Sequence, residues 1–331
     1  MTINRQILLV SRPKGEATLE NFHLAAPELP ELGDGQVLVR NFYLSLDPYM
    51  RGRMNDTKSY APPQPLNTVM IGATVGEVIE SRHPDWQPGD AVTAMFGWQE
   101  YGISDGSNLS RIKDTRVPLS VYLGAAGMPG VTAWYGLNKI IAPKAGETIA
   151  VSAASGAVGS VVGQLAKRAG CRVVGIAGGP QKCAYVVDTL GFDACVDYKA
   201  GDVYEALRAA APDGIDGYFE NVGGAVFDAV LRNANAHSRI ALCGMIAGYN
   251  GEPVPLKYPA LLLTNRILLQ GFIVTEHLDI WPQALAELTD AIAGGELRYR
   301  ETMTQGIESA PAAFLGLLKG ENFGKQIVRL V

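Results

Sequence analysis

The first third of the chain alternates apolar and polar residues over short runs. Residues 37–42, Val-Leu-Val-Arg-Asn-Phe, predict a strand, and residues 71–79 read as a second, glycine-interrupted one. Pro88-Gly89-Asp90 marks a turn before a further strand over 91–95. Short strands separated by turn signals predict a mostly β domain.

The pattern changes near residue 121. Residues 148–153 form a continuous apolar run, and 157–169 follow at helical spacing with Val158, Val161, Val162 and Leu165 on one side. Strand-like runs recur at 172–177, 194–197, 217–221 and 239–243, with helical segments between them. This alternation predicts a parallel sheet covered on both faces. Residues 268–274 fit its last strand, and 281–293 fit an amphipathic helix stopped by Gly294-Gly295. A final strand over 325–330 is expected to return to the first domain. The expected domains are therefore 1–120, completed by 300–331, and 121–299.

The turn after the run at 148–153 changes the picture from fold to chemistry. Ser155-Gly156-Ala157-Val158-Gly159 lies between a strand and a helix. Gly156 lets backbone approach a pyrophosphate, Gly159 lets the helix pack closely, and the helix N-terminus offers N–H groups to phosphate. Ala154 replaces the usual first glycine of this fingerprint. A dinucleotide is the expected ligand. An NAD enzyme usually places Asp or Glu at the end of the second strand, to hold the ribose 2′-hydroxyl. Here that position reads Ala177-Gly178-Gly179-Pro180-Gln181-Lys182, without an acid. Small residues leave room for a 2′-phosphate and Lys182 neutralises it, so NADPH is the expected cofactor.

Composition removes several other classes. The 331 residues are 47 % hydrophobic with net charge −5 and no basic run, so nucleic acid is not an expected partner. No secretory signal and no apolar span of membrane length is read, and a cytoplasmic location is expected. The four cysteines, Cys171, Cys183, Cys195 and Cys243, are spread without a CxxC spacing and read as free thiols. The first 170 residues hold no cysteine, so neither a catalytic zinc nor a structural zinc lobe is expected.

Several motifs share one pattern: Asp47-Pro48-Tyr49-Met50-Arg51, Lys58-Ser59-Tyr60-Ala61-Pro62-Pro63, Met128-Pro129-Gly130-Val131-Thr132-Ala133, Asp197-Tyr198-Lys199, Glu220-Asn221-Val222-Gly223-Gly224, Cys243-Gly244 and Leu318-Lys319-Gly320-Glu321-Asn322. Together with the glycine turn and Lys182, they resemble the zinc-free medium-chain dehydrogenase/reductases. Within these the chain is similar to the leukotriene dehydrogenase/prostaglandin reductase group, and most of all to its bacterial curcumin reductase branch. The resemblance implies an α/β protein with a GroES-like, mostly β domain and a Rossmann domain built on a doubly wound parallel sheet. It also implies NADPH-dependent reduction of a carbon–carbon double bond conjugated to a carbonyl.

By motif position, Gly156, Ala157, Val158 and Gly159 would hold the pyrophosphate, and Lys182 and Tyr198 the 2′-phosphate end. Asn221, the stretch Cys243, Gly244, Met245, Ile246 and Tyr249, the stretch Phe272, Ile273 and Val274, and Asn322 would line the ribose and nicotinamide. Met128 and Thr132 would lie near the nicotinamide. Tyr249 is the expected hydrogen-bond donor to the substrate carbonyl, and Tyr49 and Tyr60 are candidates to line the substrate. Thr264 stands where prostaglandin reductases tend to carry tyrosine, which argues against eicosanoid substrates. Quinone reduction, and a non-catalytic NADPH-binding role, stay open as alternatives. The family pattern also implies a homodimer paired at the sheet edge near 268–274.

Overall fold

The computed structural model describes residues 2–251 and 254–331. The chain divides into two compact units, Met1–Leu123 with Glu301–Val331, and Gly124–Arg300.

The first unit is built on a seven-stranded sheet. Its strands run in the order Glu301–Gln305, Lys325–Arg329, Val37–Ser45, Thr74–Ser81, Ala91–Ala94 and Ser110–Arg111, and Tyr101–Ser104 also pairs with Val37–Ser45. A three-stranded sheet of Phe22–Ala25, Gln6–Leu9 and Thr68–Val69 accompanies it. The C-terminal strand lies antiparallel to Val37–Ser45, with Ile327 opposite Ser45. The core centres on Trp98, stacked on Phe22 at 5.4 Å and edge-on to Phe314 at 5.5 Å. The second strand begins at Thr74 rather than residue 71. The carbonyls of Met70 and Gly72 instead accept hydrogen bonds from the backbone N–H groups of Trp98 and Gly97, at 2.8 and 2.9 Å.

The second unit carries six parallel strands. Their spatial order is Ala194–Asp197, Arg172–Ala177, Thr148–Ser152, Ile215–Glu220, Ala234–Leu242 and Leu268–Gly271. Numbered along the chain this is 3-2-1-4-5-6, the doubly wound dinucleotide-binding order. Alternation along each strand sends side chains to both faces. Ala150, Val174, Ile176 and Tyr218 pack with Leu207, Phe227 and Val230 of the helices Val203–Ala210 and Gly224–Asn233. Phe219 points the other way, toward Gly136 and Phe272.

Strand boundaries in the second unit also differ from the expected ones. The run at 239–243 begins at Ala234, because Asn235, His237 and Ser238 lie in the strand despite their polarity. His237 takes φ +65° there, so the strand is irregular where its sequence is polar. The fourth strand runs over Ile215–Glu220, so Asn221 sits just past its end rather than in it. The last strand stops at Gly271 rather than 274, because the chain turns into a short 3-10 helix over Val274–Glu276.

Candidate functional site

The turn after Thr148–Ser152 is tight because Ala153 adopts a left-handed φ of +49° and its carbonyl accepts from Gly156 N–H at 2.8 Å. The helix Gly159–Arg168 starts directly against this turn. A Cβ on Gly159 would lie 2.4 Å from the Ala153 carbonyl oxygen, so this position requires glycine. A Cβ on Gly156 would meet only Ala153, at 3.0 Å. The side of the turn at Gly156 is thus open for an approaching group, and Ala157 and Val158 are half-buried beside it.

The direction of the sheet winding reverses between Thr148–Ser152 and Ile215–Glu220, and ligands bind at the carboxyl ends of such strands. Asn221 spans this point. Its side-chain amide donates to the Ser152 carbonyl at 2.8 Å, and its backbone N–H donates to Ser152 Oγ at 2.8 Å. The backbone N–H groups of Cys243 and Gly244 donate to the Glu220 carbonyl at 2.9 and 3.1 Å. Those of Ile246 and Ala247 donate to the carbonyls of Asn221 and Val222 at 3.2 and 3.0 Å. The whole stretch from Cys243 to Tyr249 is therefore laid along Asn221. A Cβ on Gly244 would stand 3.1 Å from the Tyr249 hydroxyl, so that hydroxyl rests over Gly244 beside Asn221.

Beneath this surface lies Glu220, which is fully buried. Its Oε1 accepts from Gly223 N–H at 2.8 Å, from Val222 N–H and from Ser152 Oγ at 3.2 Å; its Oε2 accepts from the Tyr218 hydroxyl at 2.6 Å. Burial raises the pKa of Glu220, and these hydrogen bonds pull against that rise. The motif containing Glu220 is visible in the sequence, but its partners Ser152 and Tyr218 are not.

At the end of Arg172–Ala177, Gly178 faces Tyr198 and Lys199. A Cβ on Gly178 would meet the Tyr198 hydroxyl at 2.9 Å and Lys199 Cε at 3.0 Å. Asp197 accepts from the backbone N–H groups of Gly179 and Lys199 at 2.8 and 3.0 Å and so fixes both loops. Lys182 is half-buried near Lys199. Burial first, and the Lys199 charge second, depress its pKa. Lys182, Tyr198 and Lys199 thus converge, and Lys199 was missed because its motif drew attention to Tyr198.

Met128 opens the helix Met128–Tyr135, where the Thr132 hydroxyl donates back to the Met128 carbonyl at 2.8 Å. Phe272 stacks at a tilt on Tyr135, with ring centroids 5.4 Å apart, followed by half-buried Ile273 and buried Val274.

In the first unit, Tyr49 begins the short helix Tyr49–Arg53. Burial, then the charge of Asp47 and that of Tyr60, hold the Tyr49 pKa far above the usual phenol value. Tyr60 itself is 57 % exposed. Asn322 lies in the turn before the C-terminal strand and donates to the Gly324 carbonyl at 2.7 Å. Three residues on, buried Lys325 pairs with Asp47 at 3.0 Å and donates to the Leu46 carbonyl at 2.6 Å. Asp47 also accepts from the Ser45 hydroxyl. This pair, absent from the sequence reading, ties the turn bearing Asn322 to the segment bearing Tyr49. Among the described residues, no group of three or more His, Cys, Asp or Glu is assembled to hold a metal ion.

Comparison with known proteins adds a consistent set of likenesses. Residues 5–112 match the family model described as the N-terminal domain of oxidoreductase, and residues 157–290 match that of zinc-binding dehydrogenase. The chain is 48 % identical to the NADPH-dependent curcumin reductase of Escherichia coli, over 99 % of this chain and 97 % of that protein. It is 44 % identical to the NADP(+)-dependent 2-alkenal reductase of Nicotiana tabacum, over 98 % and 97 %. The crystal structure of CurA in complex with NADPH from Vibrio vulnificus superposes with a TM-score of 0.95, at 49 % identity and 99 % coverage of both chains.

Proposed function

Because the chain belongs to the medium-chain dehydrogenase/reductases, in the leukotriene dehydrogenase/prostaglandin reductase group, we propose that it is an NADPH-dependent reductase of the carbon–carbon double bond of α,β-unsaturated carbonyl compounds. The observation that carries this reading is the assembly at the carboxyl end of the parallel sheet. There the glycine turn, Asn221 and the Tyr249 hydroxyl over Gly244 converge on the switch point. The residues fit the cofactor: the turn is open at Gly156, and a ten-residue helix points its N-terminus there.

When bound, NADPH supplies a hydride to the β carbon of the conjugated bond, while negative charge grows on the carbonyl oxygen. Tyr249 donates a hydrogen bond to that oxygen, because a phenol keeps its proton at neutral pH. The bond strengthens as charge develops, so it stabilises the transition state more than the ground state. Gly156, Ala157, Val158 and Gly159 carry the pyrophosphate, and Lys182 with Tyr198 carries the 2′-phosphate. Asn221, the stretch from Cys243 to Tyr249, Phe272, Ile273, Val274, Asn322, Met128 and Thr132 are assigned to the ribose and nicotinamide. Tyr49 and Tyr60 are assigned to the substrate. In this reading the first unit is the substrate domain and the second the NADP-binding domain.

A panel of small alkenals, diarylenones such as curcumin, quinones and oxo-prostaglandins, followed by NADPH oxidation, tests the activity. Turnover of alkenals or diarylenones is expected. Turnover of quinones alone would assign a quinone reductase, and no turnover across the panel would leave a cofactor-binding protein. Tyr249→Phe is expected to lower kcat/KM for an enone tenfold or more with NADPH affinity retained; an unchanged rate removes Tyr249 from the mechanism.

Two finer statements complete the proposal. Among the described residues the strand Leu268–Gly271 is paired on one side only, and Leu268 within it is 48 % exposed. This edge is assigned to a homodimer, and a monomer in sedimentation equilibrium would refute it. The four free cysteines fit a reducing cytoplasm, and among the described residues no helix is long and apolar enough to cross a membrane.

A further inference from the structure

We propose that Glu220 is an anion held beneath the nicotinamide end of the site, where it favours the oxidised, positively charged cofactor and so promotes loss of the hydride. The inference rests on the functional reading above and adds an electrostatic role for a residue that need not touch substrate.

The carboxylate is fully buried and meets four donors, two of them backbone N–H groups that cannot reverse their direction. Those two amides, of Val222 and Gly223, lead into the ten-residue helix Gly224–Asn233, whose N-terminal end favours a negative charge. Among the described residues, no lysine, arginine or histidine lies within ion-pair distance of Glu220. Its charge is therefore stabilised locally by neutral dipoles but not cancelled by a cation. An uncancelled charge in a poorly hydrated interior acts over several ångströms.

Hydrogen bonds link this charge to the site through Ser152: Glu220 Oε1 accepts from Ser152 Oγ at 3.2 Å, and Ser152 Oγ accepts from the Asn221 N–H at 2.8 Å. The Cys243 N–H donates to the Glu220 carbonyl, and Cys243 opens the stretch that rests along Asn221 and ends at Tyr249. Burial, and then the negative charge of Glu220, push the Cys243 thiol up to about 12. A buried carboxylate with no cation beside it attracts positive charge in the adjoining site. Hydride transfer creates such a charge. The hydride carries two electrons to the β carbon, and the carbonyl oxygen takes up negative charge. The α carbon then gains a proton from water, and the nicotinamide ring is left positive. Glu220 thus belongs with the positioning residues through Asn221, and it adds a field that the transition state feels more than the ground state.

The test is an equilibrium titration of the whole protein with NADPH and with NADP+, comparing wild type, Glu220→Gln and Glu220→Asp. Glutamine keeps the shape and the acceptor for Ser152, Val222 and Gly223, and the Tyr218 hydroxyl can turn to accept from its amide. For Glu220→Gln the ratio of the NADP+ Kd to the NADPH Kd is expected to rise about fivefold or more. Glu220→Asp, which keeps the charge, is expected to stay near the wild-type ratio. A merely structural role weakens both cofactors equally, so a ratio within twofold of wild type in Glu220→Gln overturns the proposal. If Glu220→Gln does not fold, Glu220→Gln/Tyr218→Phe removes any conflict between amide and hydroxyl and carries the same expected shift. Failure of the wild type to bind either cofactor would instead refute the functional reading itself.

Discussion

Asp47 and Glu220 are both buried carboxylates near the end of a strand, and each neighbours a residue assigned to the site. Asp47 in the first unit faces the ammonium of Lys325, itself only 4 % exposed, at 3.0 Å. Glu220 in the second unit meets a hydroxyl pair and two backbone amides and, among the described residues, no cation. The first arrangement cancels its charge inside the chain. The second stabilises a charge and leaves its field uncancelled. A cancelled pair joins two segments, here those of Tyr49 and Asn322. An uncancelled charge acts on whatever occupies the adjoining site.

The largest effect is expected at the Asp47–Lys325 pair. Lys325→Met leaves Asp47 buried without its cation and is expected to destabilise the protein by about 3–5 kcal/mol. Urea unfolding measures it. The double variant Asp47→Asn/Lys325→Met removes both charges and is expected to recover most of that loss. A single variant that costs less than about 1 kcal/mol would show that the pair is not what joins the two segments.

The two carboxylates also differ in how they can be read from sequence. The parallel strands and the tight strand–turn–helix at 148–168 were legible because each depends on residues within a few positions of one another. The apolar run from Thr148 and the strand Arg172–Ala177 carry their own signal. Glu220 meets Ser152 from 68 residues away, and Lys325 meets the carbonyl of Leu46 from 279 residues away. Neither has a local pattern, since a lysine in a strand reads as an edge or surface residue. The polar start of Ala234–Leu242 escaped for a related reason. Only Ala234 of that start is paired, opposite Ile215, and the ladder resumes at Arg239; between them the His237 N–H donates to the Asn265 carbonyl at 2.7 Å and the Asn235 amide to Asp216 at 2.8 Å.

The glycine turn sharpens the contrast between structural and ligand-directed positions at one element. Gly159→Ala places a Cβ 2.4 Å from a backbone oxygen, so backbone must shift. It is expected to cost about 1–3 kcal/mol in unfolding experiments. Gly156→Ala meets only Ala153, at 3.0 Å. Its expected stability change is below about 1 kcal/mol, while NADPH affinity falls because the Cβ stands where the pyrophosphate approaches. Equal stability losses for the two variants would contradict this division.

The smallest expected effect concerns the far end of the same sheet, where charge of the opposite sign gathers. Lys182 and Lys199 approach each other, and Lys182 is disfavoured as a cation first by burial and then by that neighbour. A 2′-phosphate carries negative charge into this place and so favours the Lys182 cation against both effects. Lys182→Ala is expected to raise KM for NADPH about tenfold, close to 1.4 kcal/mol. KM for NADH, which lacks the phosphate, should change less than twofold. Equal changes for the two coenzymes would remove Lys182 from phosphate recognition. The variant also separates the two ends of the site. NADPH and NADP+ carry the same 2′-phosphate, so Lys182→Ala should weaken both equally and leave their Kd ratio unmoved. Glu220→Gln should move that ratio without changing the preference for the phosphate. One charge reads which coenzyme is bound, and the other reads its redox state.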